Sequence, residues 1–169
     1  MRRLKIGILD LVAKRPQPGL YGRIMNANLA SIMPQVLGVW CEEAGHEVHY
    51  VCYTGVEDLL SEFPDLDVLF IGAFTEAALV AYAFSNMFRR RGAITVLGGP
   101  HARCYPEDAR KYFDYVLGFT DRTIVDEVLA ECGQHRPLGR MLQASQQPRE
   151  LPGLEERWKF ISATLKKAP

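Results

Sequence analysis

The sequence predicts an α/β fold: a doubly wound, flavodoxin-like sheet of five parallel strands in the order 2-1-3-4-5, a Rossmann-like architecture. Three observations predict it. Short apolar runs alternate with amphipathic segments over residues 4–133, the pattern of a parallel sheet wrapped by helices. The runs are apolar at successive positions, as in Val68-Leu69-Phe70-Ile71, which suits strands buried on both faces. Right-handed crossovers leave few orders open to five such strands.

Taken in order, Lys5-Ile6-Gly7-Ile8-Leu9-Asp10 reads as the first strand and ends on a carboxylate. Lys14 to Asn28 is polar and holds Pro16, Pro18, Gly19 and Gly22. It exceeds the usual connection of about 2–6 residues, and long loops in compact domains are commonly functional. A helix starts near Pro34, a residue tolerated in a first turn. Val36, Leu37, Trp40, Cys41 and Ala44 form its apolar stripe and Gly45 stops it. His46 to Tyr53 is the second strand, Val56 to Phe63 a short helix, and Asp67 to Gly72 the third strand.

A helix over Thr75 to Arg91 carries Val80, Phe84, Met87 and Phe88 on one face and ends at Gly92. Ala93 to Leu97 is the fourth strand, Gly98-Gly99-Pro100-His101 a loop, and Pro106 opens a short helix to Phe113. Tyr115 to Gly118 is the fifth strand. The last strong helix carries Ile124, Val125, Val128, Leu129 and Cys132, and stops at Gly133. Residues 1–133 therefore read as one domain. Beyond them periodicity fades and prolines accumulate, so 134–169 read as a linker or tail with at most one short helix around Trp158.

A chain of 169 residues suffices for one domain with a substantial core. Lys+Arg and Asp+Glu balance at 20 each, so no overall field attracts a polyanion. The densest basic run, Arg89-Arg90-Arg91, falls where a helix ends and complements its dipole, so no nucleic-acid partner is expected. Asp10 interrupts the N-terminal apolar stretch, and no run approaches the roughly 20 residues of a membrane span. A cytoplasmic protein with no membrane partner is expected. Cys41, Cys52, Cys104 and Cys132 lie far apart, without the spacing of a zinc, redox or cluster motif, so no metal ligands are assigned.

In sheets of this kind ligands bind at the carboxyl ends of the strands, where the strand order reverses. That gathers Asp10 to Asn28 (Asp10, Leu11 and Val12 first), then Gly72-Ala73-Phe74-Thr75, Gly98-Gly99-Pro100-His101 and Gly118-Phe119-Thr120 around one crevice. Leu11-Val12-Ala13-Lys14 supplies no glycine turn for a phosphate, which disfavours a nicotinamide or flavin nucleotide. A phospho-receiver needs an aspartate ending the third strand, where Gly72 stands, and a lysine ending the fifth, where Gly118 stands. No nucleophile elbow or paired base is visible, so no catalytic residue is assigned. Gly98-Gly99 is open to two readings: a tight turn before Pro100, or bare backbone against which a flat or bulky ligand lies. Asp10 reads first as a residue that caps or orders the long loop, and second as an acid or base.

Ile94-Thr95-Val96-Leu97-Gly98-Gly99-Pro100-His101-Ala102, followed by Tyr105-Pro106-Glu107 and Asp114-Tyr115-Val116-Leu117-Gly118, closely resembles the cobalamin-binding domain of class B radical S-adenosylmethionine (SAM) enzymes. Ala44-Gly45-His46-Glu47-Val48 resembles it too, and the similarity covers about residues 4–133. The resemblance implies a cobalamin-binding module. It would hold the corrinoid for methyl transfer or radical chemistry done by a downstream barrel, with the corrin ring over the strand ends and its nucleotide tail beside the sheet. It matches Gly98 and Gly99 to the family's glycine pair, and Gly72 to Thr75 to a Ser-x-Leu contact that only Thr75 could supply with a hydroxyl. The partner implied is a radical SAM barrel in cis or in trans. The 4Fe-4S cluster and S-adenosylmethionine belong to that barrel, whose Cys-x-x-x-Cys-x-x-Cys motif is absent from this sequence. A truncated or stand-alone module is therefore expected. Two departures matter. Asp10-Leu11-Val12 lacks the histidine of an Asp-x-His-x-x-Gly loop, so cobalamin would be base-off with no histidine on cobalt. Gly118-Phe119-Thr120-Asp121 replaces a Gly-Glu-Gly-Glu. The alternative is a scaffold or docking domain that keeps this fold without the ligand.

Overall fold

In the computed structural model, which describes residues 2–11, 31–132 and 136–166, the apolar runs become strands of a single parallel sheet. The elements are β1 (Lys5–Leu11), α1 (Ile32–Glu43), β2 (Glu47–Tyr53), α2 (Leu59–Glu62) and β3 (Val68–Ala73). A 3-10 turn (Thr75–Ala77) leads into α3 (Ala78–Arg90), followed by β4 (Ile94–Gly98), α4 (Pro100–Cys104), α5 (Pro106–Ala109) and β5 (Tyr115–Leu117). The chain continues through α6 (Arg122–Glu131), β6 (Arg140–Leu142) and α7 (Leu154–Lys166). The sheet order is β2-β1-β3-β4-β5-β6. The fold is Rossmann-like, with the expected order of the first five strands and a sixth strand beyond them.

Each strand alternates its side chains between two cores. Leu9, Leu11, Leu69, Ile71, Leu97 and Val116 meet Phe63, Tyr82 and Phe88 on one face. Ile6, Ile8, Phe70, Val96, Tyr115 and Leu117 meet Val36, Trp40, Val125, Val128 and Leu129 on the other. Burying a side chain of this size contributes about 1.5–3 kcal/mol, so both faces must be covered for the sheet to persist. Short polar caps set the helix starts: Asp58 accepts from the N–H of Leu60, and Asp121 from the N–H of Ile124. The Cys41 and Cys132 thiols are pushed up to about 12 by burial, which leaves them inert packing groups.

The residues expected to form a linker are part of the body of the fold. β6 pairs with β5 in parallel register, Tyr115↔Arg140, Val116↔Met141 and Leu117↔Leu142. Arg140 anchors that strand to Glu127 and Glu131 of α6. The expected short helix around Trp158 is α7, 13 residues long, and it packs on α1 and β2. A three-residue strand is too short for alternation to be legible in sequence. It forms because β5 would otherwise present an unpaired edge. Other boundaries also move: α2 and α5 are single turns of four residues. The expected loop at Gly98–His101 gives way after Gly99 to the short helix α4, whose first residue, Pro100, has the backbone angle a helix start requires.

At the amino ends of the strands, buried Asp114 accepts from the N–H of Thr95 at 2.8 Å. Arg89 stands 3.3 Å and Arg136 3.7 Å from its other oxygen. Of the basic run at the end of α3, Arg89 thus serves the fold. Among the described residues, no helix is long and apolar enough to cross a membrane.

Candidate functional site

Strand register creates the site. Asp10 pairs with Cys52 on one side and Gly72 on the other, and Gly72 pairs with Gly98. Ile6, Ile8, Phe70 and Val96 all belong to the core under α1 and α6, so alternation places Asp10, Gly72 and Gly98 on that same face, in one transverse row at the carboxyl ends. Two neighbouring positions of the row have no side chain. Pro34 closes over Gly72, where a Cβ would stand 3.0 Å from its Cγ, and Gly98 opens onto a cleft of about 390 Å³ between the sheet and the first turns of α1.

Its floor is Ile8, Phe70 and Leu117, and its α1 wall is Met33, Pro34 and Leu37. Its rim is formed by Ser31, Ala73-Phe74, Gly99-Pro100 and Gly118-Phe119-Thr120. Arg103 and Gln147 complete the wall. The Arg103 guanidinium lies over the Phe119 ring, 5.5 Å from its centroid. The interior is apolar and the polar groups sit at the edge, the usual make-up of a small-molecule site.

The two glycines of the sequence pair do different work. A Cβ on Gly98 would meet nothing within 4 Å, so the position opens onto the cleft. Gly99 has φ 95° and ψ −173°, a region essentially reserved for glycine. A Cβ there would stand 2.9 Å from the carbonyl oxygen of Ala73. Of the two readings of Gly98-Gly99, bare backbone at a cleft describes Gly98 and a tight turn describes Gly99.

Nine of the residues expected at the crevice line the cleft: Gly72, Ala73, Phe74, Gly98, Gly99, Pro100, Gly118, Phe119 and Thr120. Leu11 is buried in the opposite core. Thr75 is exposed at the start of the 3-10 turn and is not on the cleft wall. Val12 lies outside the described residues, as does the loop of Lys14 to Asn28. His101 is buried away from the cleft. Its Nε2 is 2.7 Å from the Tyr82 hydroxyl, which donates to Asp108 at 2.8 Å. Burial holds the imidazole below its ordinary pKa. His46 stands at the amino end of β2, where the N–H of Leu4 donates to its Nδ1.

Asp10 is 1% exposed beneath the rim. Its Oδ2 accepts from the N–H of Ser31 at 2.8 Å and from the Tyr50 hydroxyl at 3.3 Å. Burial raises its carboxyl from 3.8 to about 6, against the lowering effect of those hydrogen bonds. Asp10 thus holds the residue that opens α1; the long loop that its first reading has it cap or order lies outside the described residues. The sequence assigns Pro34 and Leu37 to the helix rather than to the site, and gives Ser31 and Met33 no role. The signal available was that the helix after the first strand must cross the sheet beside that strand's carboxyl end. Gln147 had none, because it lies in the aperiodic stretch.

No protein-family model matches this chain, and neither a curated protein nor a solved structure does. Among the described residues, no group of three or more His, Cys, Asp or Glu side chains stands together as a metal site.

Proposed function

We propose that the chain is a cofactor-binding module that holds a corrinoid, cobalamin in base-off form, in the cleft at the carboxyl ends of β1, β3, β4 and β5. The observation that carries this reading is the open backbone of Gly98 beside an apolar slot. A large ligand can lie on bare backbone at the rim while an apolar part of it enters between sheet and helix. The fit test is Gly98, whose missing side chain would project into open space rather than into protein.

In this reading Ile8, Phe70, Leu117, Met33 and Leu37 receive the apolar part of the ligand and exclude water from it. The backbone of Gly98 permits close approach, and Ser31, Thr120, Arg103 and Gln147 offer polar contacts at the rim. His101 is committed to Tyr82, and the sequence from Asp10 to Asn28 carries no histidine, so no imidazole is assigned to the metal. Bound cobalamin supplies a methyl carrier or a low-potential cobalt centre. The chemistry itself belongs to a radical SAM barrel, in cis or in trans, with its own 4Fe-4S cluster and S-adenosylmethionine. The flavodoxin-like relation and a cytoplasmic location are part of the same proposal.

A second reading is favoured by Phe74 and Phe119, large apolar side chains exposed at the rim: a docking domain that keeps the fold and binds no ligand. Incubation with hydroxocobalamin, desalting and a visible spectrum decide between the two. Retained corrinoid absorbance at stoichiometric level is expected. A colourless, folded protein would overturn the corrinoid reading in favour of docking.

A further inference from the structure

Asp10 has a polar atom that the fold leaves unanswered. Its Oδ2 is bound twice and the Ser31 side chain also stabilises the carboxylate, but among the described residues Oδ1 is buried with no hydrogen-bond partner. That oxygen stands 4.0 Å from the point a Cβ on Gly72 would occupy, and Gly72 is part of the cleft wall. Buried acceptors in folded proteins are nearly always satisfied, so an orphan directly behind the cleft wall at Gly72 marks where a donor belongs. The surroundings define which kind of donor. The first turn of α1 carries no acidic residue, Tyr50 and Cys52 face Asp10 from β2, and glycine faces it from β3. Among the described residues, a neutral hydroxyl or amide N–H meets no competing charge there.

We propose that Asp10, through Oδ1, accepts a hydrogen bond from a neutral donor of the bound ligand, an amide N–H or a hydroxyl, and so determines which ligands the cleft retains. The proposal rests on the cleft being a ligand site for a corrinoid, a molecule rich in such amides, and it goes beyond that reading by assigning the recognition to one carboxylate. Above about pH 6 the group is charged and can only accept. The amide of Asp10→Asn keeps its oxygen for the Ser31 N–H and turns its NH₂ toward Gly72. A ligand donor then meets a protein donor.

The test is hydroxocobalamin binding at pH 8, followed by absorbance, with a thermal melt of each protein. Asp10→Asn should melt at or above the wild-type temperature and bind at least about tenfold more weakly. A structural role alone would lower the melting temperature and leave the affinity of the folded fraction unchanged. A folded Asp10→Asn with wild-type affinity overturns the proposal while leaving the corrinoid reading intact. Wild-type protein that retains no hydroxocobalamin overturns both. A second measurement needs no variant: the Asp10 carboxyl ¹³C signal, titrated with and without hydroxocobalamin. An accepted hydrogen bond favours the charged form, so its pKa should fall on binding, and an unchanged pKa rejects the contact.

Discussion

Gly38 of α1 and Phe160 of α7 occupy one volume: a Cβ on Gly38 would stand 2.6 Å from Cζ of Phe160. The ring is buried in that notch, tilted against Tyr50 at a centroid distance of 5.3 Å. Arg157 donates to Gln35 at 2.8 Å, and Lys159 pairs with Glu42, so three side chains within about one turn of α7 grip α1. The helix that forms one wall of the cleft is therefore clamped from behind by the C-terminal segment. Gly38→Leu should expel the ring and free α7, at a cost of about 2–4 kcal/mol. Urea unfolding measures the loss, and limited proteolysis should then cut between Gly153 and Ser162. Unchanged stability would mean that α7 does not dock there.

The glycine pair separates into two experiments. Gly98→Leu places a side chain in the open cleft and should leave the melting temperature within a degree or two of wild type while abolishing ligand retention. Gly99→Leu meets Ala73 backbone and a backbone region closed to leucine, so it should lose stability by about 1–3 kcal/mol or more. Equal melts for the two variants would contradict the geometry.

Asp10 makes stability fall as pH rises. Its native carboxyl titrates at about 6 against 3.8 unfolded, so between those values the native state binds the extra proton. The benefit is complete below pH 3.8 and gone above about 6. The difference in stability between Asp10→Asn and wild type should therefore shift by about 2–2.5 kcal/mol in favour of the variant from pH 4 to pH 7.5. Denaturant melts of both proteins at the two pH values check it, and a pH-independent difference would show that Asp10 is not held up.

Asp114 joins β4, α3 and the segment leading into β6 through Thr95, Arg89 and Arg136. Asp114→Ala leaves two partly covered guanidinium groups and the Thr95 N–H without their acceptor, and should cost about 3–5 kcal/mol. A loss below about 1 kcal/mol by urea denaturation would place the stabilisation of this end of the sheet elsewhere.

The sequence by itself determined the sheet. Runs such as Ile6-Gly7-Ile8-Leu9 and Val68-Leu69-Phe70-Ile71 can be satisfied only with a core on each face, and their crossovers admit few orders, so the strand ends that meet at the crevice were legible. Nine of its lining residues followed from that alone. What tertiary structure decided depends on register and on distant contacts. The row Asp10–Gly72–Gly98 exists because three separate strands align at those residues, and no single segment encodes that alignment. The different roles of Gly98 and Gly99 depend on the distance to Ala73. His101 faces Tyr82 because alternation and the start of α4 turn it into the core. The tail joins the body because an open edge at β5 and a missing side chain at Gly38 accept β6 and Phe160, and such complementary absences leave no periodic trace along the chain.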